Sequence, residues 1–421
     1  MGELEGLVPR RVAAVARERL REEPVLLIQG PRSVGKSTLL ASLARGLSGT
    51  LIDLDDPEVL HAFQADPRTL MDQPRPIFVD EYQRALEVLD YIKAQLNRPP
   101  TRPGRFVLTG SSRHESLPAA AQALTGRLDR LELLPLAQCE VEGAPGLLPR
   151  LSDQGEKVVS ARLSSTTRAE YIRRVVRGGF PLAQERSDKA RARWFDNYVQ
   201  LTLERDINGL KRLRKAELLP QVLAKLAAQT GQVVNRGNVA DALGVDSATV
   251  KEYGRLLEAV FLVRFLPAWG KTLNARAATS SKVHFHDSGV AARLLRLGGE
   301  KLDRRDPTSL TEFGHLVETF VVGELLKEVS WLDGVAQVGH WRTYDGEEVD
   351  LVVERDDGLV FAFEVKAGQR AAKESFAGLK RLRDHLGAAF GAGVVLHLGE
   401  RAFRYDDRLL ALPVDSLWID D

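Results

Sequence analysis

The segment Gly30-Pro31-Arg32-Ser33-Val34-Gly35-Lys36-Ser37 fills every position of the pattern G-x-x-x-x-G-K-[ST], and its flanks constrain the fold more than the pattern does. An apolar run, Pro24 to Gln29, precedes it and reads as a buried strand. Thr38 to Leu43 follows it and reads as a helix. A strand, a glycine-bearing turn and a helix in that order point backbone amides at the positive end of a helix dipole, where phosphate binds. Lys36 is then expected to reach the β- and γ-phosphates and the Ser37 hydroxyl to ligate Mg²⁺. The expected nucleotide site is the whole loop, Gly30, Pro31, Arg32, Ser33, Val34, Gly35, Lys36 and Ser37, together with Thr38. Its expected ligands are ATP and Mg²⁺.

Further strands are predicted at 50–54, 76–80, 105–109 and 130–136. Continuous apolar runs alternating with helical periodicity predict a parallel sheet buried on both faces, hence an α/β core. Ile77-Phe78-Val79-Asp80-Glu81 reads as a Walker B strand, with Asp80 in the Mg²⁺ shell and Glu81 polarising the attacking water. Thr109 ends the next strand, and capping of the following helix is one reading of it.

From residue 143 the chain turns polar, with Gly, Pro and Ser, and 143–167 reads as a linker or insertion. Residues 168–235 read as helical. Within 236–300, Asn238 to Val250 reads as helix, turn, helix, with Gly244 at the turn, Asp246 or Ser247 as cap, and a strand at 261–265 suited to a wing. A DNA-reading helix there would present Ser247, Thr249, Lys251 and Arg255, although Glu252 and Glu258 lie on the same helix. Packing against the ATPase core is the alternative use of that element.

Residues 301–421 read as a second α/β unit. Strands at 348–354 and 359–366 flank the turn Asp356-Asp357-Gly358. Asp350 lies as far before Asp357 as Glu364 lies after it, so a hairpin centred there sets the two carboxylates opposite each other. Lys366 shares the face of Glu364 because side chains alternate. With Glu318 from the preceding helix, this set predicts a divalent-metal site beside a lysine able to orient or deprotonate water. Such a site either cleaves phosphodiesters or survives as an inactive binding module.

Composition removes other classes. A net charge of +1 makes any nucleic-acid contact a matter of local clusters. Candidates are Arg173, Arg174 and Arg177; Lys211, Arg212, Arg214 and Lys215; and Lys380, Arg381 and Arg383. The single cysteine, Cys139, cannot form an internal disulfide. No apolar run reaches the ~18 residues that span a bilayer, and the charged start MGELEGLVPRR has no apolar signal-peptide core. A cytoplasmic protein without membrane contact is the expectation.

The order of these segments resembles a prokaryotic AAA+/STAND-related ATPase family that carries a winged helix and a C-terminal domain of unknown function with a PD-(D/E)XK nuclease-like fold. The resemblance rests on GPRSVGKSTLL (30–40), IFVDEYQ (77–83), VLTGSSRHES (107–116), LTGRLDRLELLPL (124–136), GGFPLA (178–183), LERDI (203–207), LGVDSATVKEYGRLLE (243–258), SKVHFHDSGVAARLL (281–295), GHLVETFVVGELLK (314–327), WRTYDGEEVDLVVE (341–354) and FEVKAG (363–368). It implies a P-loop AAA+ core over 1–142, a helical lid over 168–235, a winged helix over 236–300 and a nuclease-like domain over 301–421. It also implies a sensor role for Thr109, a trans-acting arginine finger at Arg127, and hence a homo-oligomer, commonly a hexamer. Pro181, in a Gly-x-Pro lid motif, would pack on adenine, although a helix-breaking turn explains the same residues locally. Asp350, Glu364 and Lys366, helped by Glu318, would form the nuclease-like site. The expected function is a Mg²⁺-dependent ATPase acting on DNA. The alternative is a nucleotide-controlled signalling switch whose C-terminal domain only binds a protein partner.

Overall fold

The computed structural model describes residues 7–98, 102–113, 124, 126–161, 163–207, 215–270, 281–303 and 307–419. The chain gathers into two compact units. The first holds Met1–Pro135 with Leu201–Leu213 and Ala259–Phe261, and the second holds Leu136–Gln200, Arg214–Glu258 and Leu262–Asp421.

The first unit is built on five parallel strands, β1 (Val25–Gln29), β2 (Thr50–Asp53), β3 (Ile77–Asp80), β4 (Phe106–Gly110) and β5 (Leu128–Glu132), in the order β2-β3-β4-β1-β5. Val25, Leu27, Ile77, Val79, Phe106 and Leu108 alternate onto one face and pack with Val88, Leu89, Ile92 and Leu96 of helix Glu87–Leu96. The intervening Leu26, Ile28, Phe78 and Val107 are equally buried, as a sheet covered on both faces requires. This order seats β4 between β1 and β3. Thr109 therefore stands between the strand leading into the glycine loop and the strand ending in Asp80.

The second unit has a small antiparallel sheet, β6 (Gln232–Val233), β7 (Val263–Leu266) and β8 (Lys282–Phe285), ordered β6-β8-β7. Helices Leu219–Ala227, Arg236–Leu243 and Ser247–Ala259 alternate with it along the chain. Gly244 ends the second of these helices in the left-handed conformation (φ 63°), and Asp246 accepts from the Thr249 amide at 2.6 Å to cap the third.

A mixed six-stranded sheet follows: β9 (Val335–Arg342), β10 (Glu348–Arg355), β11 (Val360–Lys366), β12 (Phe390–His397), β13 (Phe403–Asp406) and β14 (Leu409–Pro413), ordered β13-β14-β12-β11-β10-β9. Helix Ala377–Leu386 covers one face with Leu379, Leu382 and Leu386 against Val349, Val352 and Val395. Helix Pro307–Val329 packs on β8, β10 and β11.

The polar stretch after residue 143, expected as a linker or insertion, is folded over most of its length. Leu147, Leu148 and Leu151 bury one side of helix Leu147–Gln154, whose first amides, Leu147 and Leu148, donate to Glu328 at 3.1 and 2.7 Å. A full turn earlier on helix Pro307–Val329, Glu324 accepts from the Gln138 amide at 2.6 Å, at the start of helix Gln138–Glu142. Among the described residues no helix is long and apolar enough to cross a membrane.

Candidate functional site

The glycine loop leaves β1 and enters helix Lys36–Gly46 through Gly35, at φ 94°. The two loop glycines are required for different reasons. Gly35 adopts a left-handed backbone with open space around it, whereas a Cβ on Gly30 would stand 2.1 Å from the Leu133 carbonyl oxygen. Gly30 is thus fixed by close approach of the chain that leaves β5, a constraint the pattern alone does not reveal. Arg10 donates to the carbonyls of Val34 and Leu134 at 2.9 and 2.6 Å and ties the loop to the same chain. Pro31 and Val34 are buried, while Ser33, Ser37 and Thr38 are exposed.

Lys36 is buried and donates to the Gly30 and Pro31 carbonyls at 3.1 and 2.8 Å. Burial lowers its pKa against the opposing pull of Glu81 and Asp80. Its charge is held by neutral acceptors rather than by an ion pair.

Asp80 and Glu81 close β3. Asp80 Oδ1 accepts from the Thr109 hydroxyl and from the Glu81 amide, the latter at 3.0 Å. Thr109 also accepts from the Glu81 amide at 3.3 Å. Burial raises the Glu81 carboxyl above its ordinary range, opposed by Lys36 and Arg32. Glu81 Oε2 accepts from Gln83 Nε2 and from Ser111 Oγ, the latter at 3.4 Å. Sequence reasoning passed over Gln83 and Ser111; the signal was their place immediately after two strands that end beside each other. The geometry brings Lys36, Asp80, Glu81 and Thr109 to one end of the parallel sheet. Ser37 and Asp80 offer only oxygen, the donor chemistry that suits Mg²⁺ when nucleotide oxygens complete the shell.

Arg32 departs from simple phosphate duty. Its Nε donates to both oxygens of Asp206 at 2.7 and 2.8 Å, joining the loop to the turn Thr202–Ile207. Burial opposes the Arg32 charge, yet Asp206 outweighs it and raises the pKa. Arg127 is exposed and donates to Asn97 at 2.7 Å. It precedes Leu128, which pairs with Val25 at the start of β1. The glycine loop leaves the opposite end of β1, so strand geometry separates the two by roughly 16 Å.

Pro181 lies in the second unit as the first residue of the short helix Pro181–Gln184. The glycines before it have a structural reason within that unit. The Gly179 amide donates to Asp287 Oδ2 at 2.6 Å, and a Cβ on Gly178 (φ 67°) would lie 2.3 Å from Asp287 Oδ1. Asp287 also accepts from the Val290 amide at 3.0 Å, capping helix Ser288–Leu294.

The C-terminal hairpin has the expected register. Leu351 pairs with Phe363 and Glu354 with Val360, which sets Asp350 across from Glu364. Lys366 donates to Glu364 Oε1. Lys282 of β8 also enters the carboxylate cluster. The residue is only 2% exposed, and its ammonium donates to Glu318 Oε1 at 2.8 Å, to Asp350 Oδ1 at 2.7 Å and to Glu348 Oε1. Asp350 Oδ2 accepts from the Val365 amide at 2.8 Å, so both its oxygens are engaged. Among the described residues no group of three or more His, Cys, Asp or Glu is arranged to hold a metal ion. The Lys282 ammonium thus stands among Glu318, Glu348 and Asp350, while Glu364 accepts from Lys366. Burial raises the Lys282 charge cost, but the three carboxylates prevail and its pKa rises. Burial and the neighbouring Asp350 push Glu364 up to about 8. Lys282 escaped sequence reasoning because it resembles any strand residue.

Five of the ten basic side chains named as clusters pair within the chain. Arg173 and Arg174 pair with Glu170, and Arg174 also pairs with Glu142. Arg381 pairs with Asp345 and Glu347, while Lys380 and Arg383 pair with Asp406. Lys211, Arg212 and Arg214 lie outside the described residues. Helix Ser247–Ala259 differs: Ser247, Lys251 and Arg255 recur every four residues and all are exposed, whereas Thr249 is partly buried. Glu258 points back and accepts from the Phe265 amide at 2.9 Å.

Comparison with known proteins divides the chain in three. Residues 22–142 match an AAA domain, 168–301 a domain of unknown function (DUF8612), and 313–417 another domain of unknown function (DUF4143). The segment between the first two matches includes the helix held by Glu328. Two relatives, uncharacterized proteins Mb2031c of Mycobacterium bovis and Rv2008c of Mycobacterium tuberculosis, are each 28% identical over 415 residues, covering 98% of this chain and 85% of the relative. Among solved structures, the Walker-type ATPase PABY2304 of Pyrococcus abyssi is similar at 13% identity and TM-score 0.41, over 69% of this chain and 97% of that one. The RuvB Holliday junction branch migration motor of Thermotoga maritima is similar at 22% identity and TM-score 0.29, over 61% of this chain and 87% of that one. The AAA domain match over the parallel sheet supports an AAA-type, nucleotide-binding ATPase.

Proposed function

We propose that this chain is a Mg²⁺-dependent ATPase that hydrolyses ATP at the loop Gly30–Ser37 and couples the cycle to DNA. The observation that carries the ATPase reading is the convergence of Lys36, Asp80, Glu81 and Thr109 at one end of the sheet. In it, the loop amides and Lys36 bind and orient the phosphates. Ser37 and Asp80 would hold Mg²⁺, which when bound neutralises charge on the β- and γ-phosphates. Glu81 orients the attacking water and accepts its proton at the carboxylate, with Gln83 and Ser111 fixing the carboxylate. Thr109 holds Asp80 in place. Arg127 serves a neighbouring copy, which makes the active species a homo-oligomer, with a hexamer as the expected ring. Pro181 is assigned to the adenine.

DNA contact is assigned to the helix Ser247–Ala259, read as the recognition helix of a winged helix. The exposed row Ser247, Lys251 and Arg255 supports this, as does the diversion of Glu258 into the backbone. Steady-state ATP turnover of the purified protein with Mg²⁺, with and without duplex, single-stranded and branched DNA at low salt, tests both parts. Glu81→Gln should bind ATP yet turn over at least about a hundredfold more slowly. Unchanged turnover in Glu81→Gln would remove the assigned base. Absence of DNA binding at low salt would remove the DNA part and leave the ATPase part standing. Arg127→Ala should lose turnover and regain it when mixed with a loop-defective copy that carries Arg127.

A second reading, a nucleotide-controlled switch whose C-terminal domain is a non-catalytic partner-binding module, is favoured by one observation: Lys282 fills the carboxylate cluster. Function retained in an Asp350→Ala, Glu364→Ala variant would support this reading; loss of a nuclease activity there would oppose it.

A further inference from the structure

The C-terminal cleft, about 590 Å³, is lined by Lys282, Glu318, Glu348, Asp350, Glu364 and Lys366 among others. Three of its carboxylates converge on one ammonium, and the lysine that carries it is anchored on both sides: Lys282 pairs with Val233 of β6 and with Leu266 of β7. The side chain is covered, and withdrawing it would leave Glu318 and Asp350 buried without their cation. A divalent ion entering beside it would meet a like charge at short range in a poorly screened site. The remaining carboxylate does not compensate. Glu364 gives Oε1 to Lys366, and its buried Oε2 has no hydrogen-bond partner among the described residues.

We propose that Lys282 is a tethered cation standing in for a divalent metal among Glu318, Glu348 and Asp350, so that the folded C-terminal cleft excludes divalent metals, and that deleting this one charge turns the cleft into a divalent-cation site. The residues left behind, four carboxylates from one helix and two strands, are hard oxygen donors of the kind Mg²⁺ and Mn²⁺ take. The inference is independent of the ATPase reading, because no nucleotide enters its test.

The experiment is a Mn²⁺ titration of the full chain without nucleotide, followed by the paramagnetic signal of free Mn²⁺, with thermal melting in parallel. Wild type and Lys282→Arg should show no uptake that depends on Asp350. Lys282→Met should gain one Mn²⁺ per chain, bound at least about tenfold more tightly than any site of the wild type, and Mn²⁺ should raise its melting temperature. Adding Asp350→Asn to Lys282→Met should abolish the gain and thereby place it in the cleft. Two results would overturn the proposal: wild-type uptake that Asp350→Asn removes, or a folded Lys282→Met that gains nothing. Should Lys282→Met not fold, wild type against Asp350→Asn decides alone: Asp350-dependent uptake overturns the proposal and its absence supports it.

Discussion

Two buried lysines divide the work of this chain. Lys36 and Lys282 are 4% and 2% exposed, and burial opposes the charge of both. Their partners make them opposites. Lys36 leans on two backbone carbonyls, and its pKa falls. Lys282 is held by three carboxylates, and its pKa rises. Neutral acceptors keep an ammonium in position without cancelling its charge, so Lys36 keeps the charge that its proposed phosphate role needs. Carboxylates cancel it, so Lys282 has none to offer, and its contribution is to cohesion. A buried cation is therefore read by what holds it before it is read by where it sits.

The contrast can be broken in order of expected effect. Lys36→Ala should reduce ATP turnover by on the order of 10²–10³-fold, measured at saturating ATP. Its melting temperature should move little, because only two hydrogen bonds to neutral acceptors are lost. If turnover persists, the distinction between the lysines falls. Lys282→Met should behave in the opposite sense without metal, with stability lost by about 3–5 kcal/mol in chemical denaturation, because buried carboxylates lose their cation.

A smaller effect is expected at Arg32. Arg32→Ala strands the buried Asp206 carboxylate and should cost about 1–3 kcal/mol by the same measurement. The smallest is a pH slope. Glu364 is raised from 4.5 to about 8, so the folded chain holds its proton more tightly than the unfolded chain. The stability this lends is complete below about pH 4.5, falls as pH rises towards 8, and is flat above. Glu364→Gln should flatten that part of the stability profile; an unchanged slope would reassign it to other buried acids such as Glu328, also raised to about 8.

What could be read ahead of the structure was whatever is local along the chain. The glycine loop with its flanks, the strands of the first sheet, and the hairpin register counted outward from Asp357 all follow from periodicity and turn chemistry over a few residues. What escaped were bonds between distant segments. Lys282 lies 68 residues from Asp350, and Arg32 lies 174 from Asp206. No spacing rule links such positions, because tertiary packing alone brings them together. The helix inside 143–167 is a different case. Leu147, Leu148 and Leu151 carried the helical signal, and the surrounding Gly, Pro and Ser masked it.

Helix Pro307–Val329 holds a practical consequence. Glu324 and Glu328 accept the leading amides of two helices that lie far upstream, at Gln138 and at Leu147 and Leu148. A Cβ on Gly146 would stand 2.8 Å from the Glu328 carboxylate, so the fit leaves little room for substitution. Anyone cutting the gene near residue 312, where the last family match begins, would separate donors from acceptors and strip two helices of their caps. The C-terminal fragment would carry buried acids with nothing to bind. The middle segment and the C-terminal segment should therefore be expressed as one piece, because these capping bonds join them.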